Sequence, residues 1–308
     1  MTSGRRVLVQ APATVANLGP GFDTLGLALD LANEVELVLL EEGPAMEVPP
    51  AHVILTGEGE EELPRDGTNR VVQAANRLWQ RVRGRSPRLQ VRCTNRIPLQ
   101  SGLGSSAAAA VAGLVGAHRL LGEPLNPEEL LYLAWELEGH GDNAAPALAG
   151  GLTVVLPQRQ MVRLDPPDLD VAVALPHQRW STQASRGVLP QEVSRADAVF
   201  NLASLAGLVA CLASGQWAHL RAAMADRLHQ PYRLPRIPGA QEAMAAGLEA
   251  GAWGTALAGA GPAVVALTPP GAGEAVAQAM AQAFAAAGQP AQALACRPAA
   301  QGALGREG

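Results

Sequence analysis

Two glycines, two serines and a run of alanines stand together at residues 98–110, which read PLQSGLGSSAAAA. Gly102 and Gly104 suit a backbone that bends sharply or comes close to a ligand, because glycine has no Cβ. Ser105 and Ser106 add two hydroxyls at the entrance of an alanine-rich stretch with high helix propensity. A glycine loop that feeds a helix N-terminus presents unpaired N–H groups and a positive dipole end, which favours phosphate. A plain Gly–Ser linker before a core helix explains these residues equally well.

The chain contains no lysine, so all 23 basic positions are arginine. A Walker-type P-loop needs Gly-Lys-Ser/Thr, and protein kinases use a lysine on a strand. Schiff-base chemistry requires a lysine amine. These three kinds of site are excluded, and any phosphate must be held by backbone amides, hydroxyls and a metal.

A second group of polar residues follows a predicted amphipathic helix at residues 128–138. Glu138 ends that helix, and His140, Asp142 and Asn143 follow it directly. A carboxylate oxygen is a ligand that Mg²⁺ prefers, and Mg²⁺ commonly shares its site with phosphate. A polar C-terminal cap with an Asx turn is nevertheless the better interpretation of the cluster in isolation.

Asn17 and Asp23 are the polar groups of residues 11–23, a stretch rich in proline and glycine. This composition predicts a fixed, irregular loop after a short strand. A tight connection is the slightly better explanation of the loop by itself, although binding sites are often built on such loops.

Two arginines lie in separate polar segments of the second half of the chain. Arg186 belongs to a polar loop at residues 181–190. Arg233 belongs to residues 229–239, whose prolines predict an absence of regular structure and an exposed arginine.

Strands and helices alternate around these residues without a regular repeat. Apolar residues at helical spacing predict a helix at 69–82, with Thr68 as its N-cap. Alternation at 89–93 predicts a strand that leads directly into the glycine loop. The other predicted strands are 7–9, 34–40, 52–56, 152–156, 171–175, two within 255–267, and 291–295, and the other predicted helices are 107–121, 128–138, 196–213, 217–228, 241–250 and 273–287.

Composition bounds the class of protein. The net charge is −5 and the arginines are scattered, so the sequence has no basic cluster of the kind that binds nucleic acid. Three widely spaced cysteines fit neither a disulfide framework nor a zinc site, which favours a reducing compartment. The longest apolar stretches, near 107–117 and 202–213, fall short of the ~20 residues of a membrane span. A soluble cytoplasmic protein without nucleic-acid or membrane partners is therefore expected.

Three separated motifs resemble those of the GHMP small-molecule kinases. They lie at residues 12–23, 98–108 and 254–262. Further stretches at 136–143, 181–190 and 229–239 resemble the homoserine kinases within that family.

The resemblance implies an α+β protein with the two-domain GHMP kinase fold. Residues 1–160 would form the N-terminal domain that carries the ATP loop. Residues 161–300 would form a C-terminal, ferredoxin-like α/β sandwich, with the active site between the two domains.

The implied reaction is ATP-dependent phosphorylation of the side-chain hydroxyl of L-homoserine, giving O-phospho-L-homoserine for threonine biosynthesis. ATP and Mg²⁺ are the implied cofactors, and a homodimer is carried over from the family. Two alternatives stay open: another GHMP kinase that acts on a sugar or an isoprenoid precursor, and a non-catalytic metabolite sensor on the same fold.

The resemblance also assigns roles to individual residues. Mg²⁺ would be held by Ser106 and Glu138. The catalytic group would be Asn143, Asp142 and His140, none of them a clear general base, so direct attack by the hydroxyl is implied. ATP would be bound by Asn69, Pro98, Leu99, Gln100, Ser101, Gly102, Leu103, Gly104, Ser105, Ser106, Ala107 and Ala108. L-Homoserine would be bound by Asn17, Asp23, His140, Asn143, Thr182, Arg186, Arg233 and Gly259.

These roles suit the chemistry of the substrate. Homoserine carries a carboxylate, an ammonium group and a primary hydroxyl. The planar forks of Arg186 and Arg233 match a carboxylate. Asp23 matches the ammonium group, and an amide such as Asn143 can position the hydroxyl.

Five positions depart from the family pattern: Val15, Gly141, Ser185, Ala258 and Ala263. The last two matter most, because they remove hydroxyls near a loop that is expected to contact phosphate or substrate. Backbone amides of residues 259–261 remain available in their place.

Overall fold

The computed structural model describes residues 5–305, except for the side chain of Thr182. Its strands are β1 (Arg6–Asn17), β2 (Gly21–Pro44), β3 (Ala51–Gly57), β4 (Arg85–Asn95), β5 (Leu152–Val155), β6 (Met161–Leu164), β7 (Asp170–Pro176), β8 (Gly254–Leu257), β9 (Val264–Thr268) and β10 (Ala291–Cys296). Its α-helices are α1 (Arg70–Arg83), α2 (Ser105–Leu120), α3 (Pro127–Glu138), α4 (Ala144–Ala149), α5 (Thr182–Gly187), α6 (Arg195–Ser214), α7 (Leu220–Ala223), α8 (Gln230–Arg233), α9 (Ala240–Glu249) and α10 (Gly273–Ala286).

The first sheet has six strands in the order β3-β4-β2-β5-β6, with β1 paired to β2. The long strand β2 joins its parts, because its first half pairs with β5 and its second half with β4. Helix α2 is buried almost throughout and packs against β1, β2 and α1. Its small residues allow this close contact: a Cβ added to Gly113 would lie 2.2 Å from the carbonyl oxygen of Val71.

The second sheet has four antiparallel strands in the order β10-β7-β9-β8. Numbered within this half of the chain, the strands run 4-1-3-2, with helices between the first and second strands and between the third and fourth. This β-α-β-β-α-β arrangement is ferredoxin-like and confirms the predicted α+β class. Helices α9 and α10 pack on the sheet over an apolar cluster that includes Leu257, Met280 and Phe284.

Helix α1 begins one residue later than the capping prediction implies. Asn69 is the N-cap, and its side chain accepts a hydrogen bond from the backbone N–H of Val71. Thr68 was the wrong choice because its hydroxyl and its N–H both donate to Asp66. Gly84 closes the helix in the left-handed region, at φ 64°.

Residues 11–23 do not form the irregular loop that their composition predicts. Strand β1 continues to Asn17 and pairs with β2, with two register shifts that accommodate the special residues. Only residues 18–20 form a turn, and Asn17, Leu18 and Asp23 adopt positive φ angles around it. Pairing with a long neighbouring strand outweighs the local turn signals here.

The predicted helix at 217–228 is also wrong. A 3₁₀ turn (Trp217–His219) and the single turn of α7 occupy this stretch instead. The carboxylate of Asp226 accepts hydrogen bonds from the backbone N–H groups of Leu228, His229 and Gln230, which ends any helix there. Helix α4 and strand β6 were not predicted.

Residues 229–239 are more regular than predicted. They form α8 and a 3₁₀ turn (Leu234–Arg236), because Pro231 and Pro235 both lie in first-turn positions that tolerate proline. Arg233 is only 2% exposed, so the expectation of an exposed arginine is wrong.

Helix α6 is 20 residues long and has a mean hydropathy of 1.8 in its most apolar window. Within residues 5–305 it is the one helix whose length and composition match a membrane span, a test that core helices of soluble proteins also pass. The apolar stretch at 202–213 is itself shorter than a membrane span, but the helix that contains it reaches that length. One face of the helix, with Asn201, Leu208 and Cys211, is buried against the protein.

Candidate functional site

A cavity of about 330 Å³ lies where the two halves of the chain meet. Its walls come from the end of β1, the start of β2, the glycine loop, residues 138–143 at and after the end of α3, Trp180, Arg186, Arg233 and residues 259–261. A second cavity of about 560 Å³ adjoins it and is lined by parts of β3, β4 and the start of α1. The two cavities share Arg70, Gln100, Ser105 and Ser106.

The glycine loop places the N-terminus of α2 at the walls of both cavities. Gly104 is the N-cap of that helix, at φ 71°. A Cβ added to it would lie 2.0 Å from Oγ1 of Thr14, so only glycine fits. Ser101 fixes the loop, because its hydroxyl donates to the Pro98 carbonyl oxygen and accepts from the N–H of Leu103. The free N–H groups of the first helical turn face a position that suits a phosphate.

We expect Gly104→Ala to lower the free energy of unfolding by about 1–3 kcal/mol, through left-handed strain and the clash with Thr14. The substitution should also reduce kcat/KM at least about tenfold, because Thr14 contacts Asn143 in the cavity. Gly122→Ala is the matched control. Gly122 also has a positive φ, at 81°, but nothing lies within 4 Å of its added Cβ. Equal losses of activity in both variants would contradict a specific role for the loop.

The twelve residues predicted to bind ATP occupy different places. Gln100, Ser101, Gly102, Gly104, Ser105, Ser106 and Ala107 line the first cavity. Asn69 and Leu99 line the second. Pro98 lines a third, smaller cavity, while the side chains of Leu103 and Ala108 are buried in the core.

Ser106 and Glu138 come together at the junction of the two cavities. The Ser106 hydroxyl donates to Oε1 of Glu138 over 3.1 Å. Arg70 donates to the same oxygen from Nε, at 3.0 Å, and from Nη2. The Glu138 side chain is only 7% exposed, so this arginine neutralises a nearly buried charge.

The hydroxyl oxygen of Ser106 and the carboxylate oxygens of Glu138 are ligands of the kind that Mg²⁺ prefers. Among residues 5–305, no three His, Cys, Asp or Glu side chains form a group that could hold a metal ion. Mg²⁺ does not need such a group, since it commonly takes one or two protein oxygens, several waters and the phosphates of a nucleotide. A hydroxyl and a carboxylate beside the N-terminus of α2 meet that requirement.

Asp23 and Arg186 form a two-pronged ion pair in the first cavity. Nη1 of Arg186 donates to Oδ2 of Asp23 over 3.0 Å, and Nη2 donates to Oδ1 over 2.6 Å. Both side chains are more than a third exposed, so a ligand can reach them. Asn17 supports the pair: its Oδ1 accepts from the N–H of Asp23, and its Nδ2 donates to the Gly259 carbonyl oxygen.

Arg233 lies behind this pair in a buried network. It donates to the carbonyl oxygens of Ser185 and Gly259 and to Nδ1 of His229. Because an arginine only donates, His229 accepts at Nδ1 and donates from Nε2 to the Gly19 carbonyl oxygen, 2.7 Å away. Burial lowers the pKa of His229, which keeps this ring neutral. Burial also lowers the pKa of Arg233 to about 10, so it remains charged at neutral pH.

His140, Asp142 and Asn143 form the third wall. Nδ1 of His140 lies 2.6 Å from Oδ1 of Asp142, and the same oxygen accepts from the N–H of Asn143. Burial by itself lowers the pKa of His140, but the hydrogen bond and the charge of Asp142 outweigh it, and the net pKa is raised. The hydrogen bond to Asp142 fixes the orientation of the His140 ring in the cavity wall.

Asp142→Asn is expected to lower the pKa of His140 by removing both favourable contributions, whereas Asp165→Asn, at an exposed position, should leave it unchanged. Because the folded-state pKa is raised, His140 stabilises the wild type below pH ~6.5, and this contribution disappears as the pH rises through the folded-state pKa. An NMR titration of the histidine ring signals measures the change. An unaltered pKa of His140 in Asp142→Asn would contradict the assignment.

The structure brings together most of the residues predicted to bind homoserine. Asn17, Asp23, His140, Asn143, Arg186, Arg233 and Gly259 all line the first cavity. The side chain of Thr182 lies outside the described part of the structure, although its backbone begins α5.

Sequence reasoning missed Arg70, Phe22, Thr14 and Trp180. The ring centroid of Phe22 lies 5.6 Å from the guanidinium carbon of Arg186 and 5.4 Å from that of Arg233, and the ring stacks on His229. Arg70 falls inside the predicted helix at 69–82, whose apolar spacing gave it no functional role. No local pattern identified the other three.

The departures from the family pattern are accommodated locally. Ala258 and Ala263 are fully buried in the core and line neither main cavity, and the N–H of Ala258 bonds to the carbonyl oxygen of Ala263. Gly141 is required by this chain's own packing, because an added Cβ would lie 2.4 Å from the ring of Trp135.

Comparison with known proteins gives a consistent picture. Residues 69–151 match the family profile described as the GHMP kinases N terminal domain, and residues 208–286 match that of the GHMP kinases C terminal. The chain is 48% identical over 264 residues to a homoserine kinase from Moorella thermoacetica, covering 84% of this chain and 86% of that protein. It is 43% identical over 302 residues to a homoserine kinase from Carboxydothermus hydrogenoformans, covering 97% and 96%. The crystal structure of a homoserine kinase from Cytophaga hutchinsonii superposes with a TM-score of 0.87 at 32% identity, covering 98% of each chain.

Proposed function

From the premise that the chain belongs to the GHMP kinase family, and within it to the homoserine kinases, we propose how its cavities carry out the reaction. The enzyme transfers the γ-phosphoryl group of ATP to the side-chain hydroxyl of L-homoserine and produces O-phospho-L-homoserine, a step of threonine biosynthesis. The alternatives of a sugar kinase, an isoprenoid kinase or a sensor are not favoured.

The observation that carries the proposed site is that two features line one cavity. One is the N-terminus of α2 with its glycine loop, which suits phosphates. The other is the pair of Asp23 and Arg186, whose charges are the complement of an amino-acid zwitterion. The substrate carboxylate takes the place of Asp23 on Arg186, and the substrate ammonium takes the place of Arg186 on Asp23.

The buried groups hold these partners in position. Arg233 adds a second positive charge toward the substrate carboxylate, and the Phe22 ring lies close to both guanidinium groups. Asn143, held by the hydroxyl of Thr14, and His140, held by Asp142, orient the substrate hydroxyl. The adenine of ATP occupies the second cavity near Asn69, and its phosphates follow the shared wall to the α2 N-terminus.

The chemical step needs little from the side chains beyond position and charge. The hydroxyl oxygen forms a bond to the γ-phosphorus, the bond from phosphorus to the β,γ-bridging oxygen breaks, and ADP leaves with the electron pair. The hydroxyl proton passes to a phosphate oxygen and then to solvent. Such a transition state is loose, so a dedicated base is not required. Ser106 and Glu138 would hold Mg²⁺, which would supply charge neutralisation at the phosphates.

Three properties of the whole molecule belong to the proposal. We place two domains close to residues 1–160 and 161–300, with the boundary between β6 and β7, because β6 hydrogen-bonds to the first sheet. The assembly is a homodimer, which light scattering would test. The enzyme works in the cytoplasm, where the three free, buried cysteines stay reduced.

The test of the proposed function is ADP release from Mg²⁺-ATP with alternative acceptors. L-Homoserine, mevalonate, galactose, L-serine and a blank without acceptor are compared. ADP formed only with L-homoserine is the expected result. Turnover with a different alcohol alone would overturn the substrate assignment, and ATP binding without turnover on any acceptor would favour a sensor.

A further inference from the structure

Arg70 stands where the two cavities meet, and its contacts with Glu138 are described above only as charge neutralisation. It is the first residue of α1, directly after the N-cap, and it lines both cavities. Within the described part of the chain, Arg186 and Arg233 are the other arginines of the first cavity, and both are engaged at the substrate end. No other basic side chain lines the second cavity there. Any nucleotide that extends from one cavity to the other passes Arg70.

The guanidinium group of Arg70 is only partly engaged. Nε and Nη2 both donate to Oε1 of Glu138, and Nη2 also donates to the carbonyl oxygen of Leu137. Nη1 has no hydrogen-bond partner among the described residues, and the side chain is 33% exposed. The group therefore keeps donors available to the cavities while it neutralises a carboxylate that is only 7% exposed.

The same carboxylate oxygen also accepts from Ser106, so three donor contacts fall on Oε1 of Glu138. A metal ion bound to Ser106 and Glu138 would replace proton donors at that oxygen. Arg70 and the metal are both cations. They repel each other, so each would weaken the interaction of the other with Oε1 of Glu138. The displaced guanidinium then lies beside the α2 N-terminus, where the phosphates are expected.

We propose that Arg70 is a phosphate-binding cation that also competes with the metal for Glu138. Without nucleotide, Arg70 neutralises Glu138 and keeps divalent metal affinity low. When the metal–nucleotide complex binds, Glu138 turns to the metal and Arg70 turns to the β- and γ-phosphates. This inference rests on the proposed function for the location of the phosphates and of the metal. In a chain without lysine, it supplies the positive charge that P-loop and protein kinases obtain from lysine.

The test measures binding rather than turnover, with the intact protein. Mn²⁺ serves as the metal probe and is titrated into the nucleotide-free protein by electron paramagnetic resonance. ADP and AMP are titrated by calorimetry. The variants are Arg70→Gln, which keeps a donor for the Leu137 carbonyl, and Arg70→Lys, which keeps the charge. Arg77→Gln is the matched control, because Arg77 lies on the same helix and pairs with Glu136 at the surface.

In Arg70→Gln we expect the Kd for Mn²⁺ to fall about tenfold and the Kd for ADP to rise about tenfold, with the Kd for AMP nearly unchanged. Arg70→Lys should lie close to wild type for ADP, and Arg77→Gln should match wild type throughout. Unchanged Mn²⁺ and ADP affinities in Arg70→Gln, with only a lower melting temperature, would overturn the proposal. Arg70 would then have only the structural role of linking α1 to α3. Should Arg70→Gln not fold, a Kd for ADP in Arg70→Lys raised as much as tenfold would also overturn it. These readouts involve no acceptor, so failure of homoserine turnover does not alter their meaning.

Discussion

Arg186→Ala is expected to raise the KM for L-homoserine about hundredfold while the KM for ATP stays within about twofold. The guanidinium of Arg186 offers two parallel donors to Asp23 in the structure, and a substrate carboxylate would use the same fork. Losing a charged hydrogen-bonded partner of this kind costs about 3 kcal/mol, which corresponds to about hundredfold in affinity. Steady-state kinetics with each substrate varied in turn would measure the effect.

Arg179→Ala provides the control for this substitution. Arg179 lies just before α5 and forms an equally two-pronged pair with Glu62, but at the surface, where its side chain is 55% exposed. Its loss should leave the KM for homoserine unchanged. An unchanged KM in Arg186→Ala, or an equal rise in both variants, would remove Arg186 from the substrate site.

Glu138→Gln is expected to lower kcat about thousandfold at saturating substrates. The amide keeps the size of the side chain but loses the negative charge, so the Mg²⁺ of the proposed site would lose its only carboxylate ligand. A divalent cation contributes several kcal/mol to the stabilisation of the charge that develops during phosphoryl transfer, which corresponds to a factor of about a thousand. The substitution also leaves Arg70 without its acidic partner, so the melting temperature should be recorded alongside the rate.

Glu136→Gln is the matched control on the same helix. Glu136 pairs with Arg77 at the surface and lines neither main cavity. It should keep the wild-type kcat and the wild-type dependence on Mg²⁺. Near-wild-type turnover in Glu138→Gln would contradict the metal-ligand role.

Local sequence patterns were sufficient to predict the strand and the helix that flank the glycine loop. The alternation at 89–93 and the alanine-rich stretch after Ser105 correspond to β4 and α2, and the glycine loop lies between them as expected. Each of these signals is local, because strand alternation and helix propensity act within a few residues.

Tertiary contacts explain why two of the secondary-structure predictions were wrong. Proline and glycine in residues 11–23 signal a loop, yet long-range pairing with β2 holds most of that stretch in a strand. Alanine and leucine in 217–228 favour a helix, yet Asp226 captures the backbone donors that would continue it.

The pairs that build the site were beyond local patterns for the same reason. Asn17 bonds to a residue 242 positions away, and Asp23 pairs with Arg186 across 163 positions. Arg70 and Glu138 are 68 positions apart. No period in the sequence reports such separations. Resemblance to a family grouped the residues proposed to bind substrate, but it did not reveal that Asp23 and Arg186 form an ion pair with each other.

Phosphorus NMR of the reaction products would test most directly that this cavity phosphorylates the side-chain hydroxyl of L-homoserine. The wild-type enzyme is incubated with Mg²⁺-ATP and L-homoserine, and the proton-coupled phosphorus spectrum is recorded. The account predicts one new phosphomonoester signal, split by the two protons of the adjacent methylene group and equal in amount to the ADP formed. ADP accompanied only by inorganic phosphate, or a phosphoryl group on the amine or carboxylate, would contradict it.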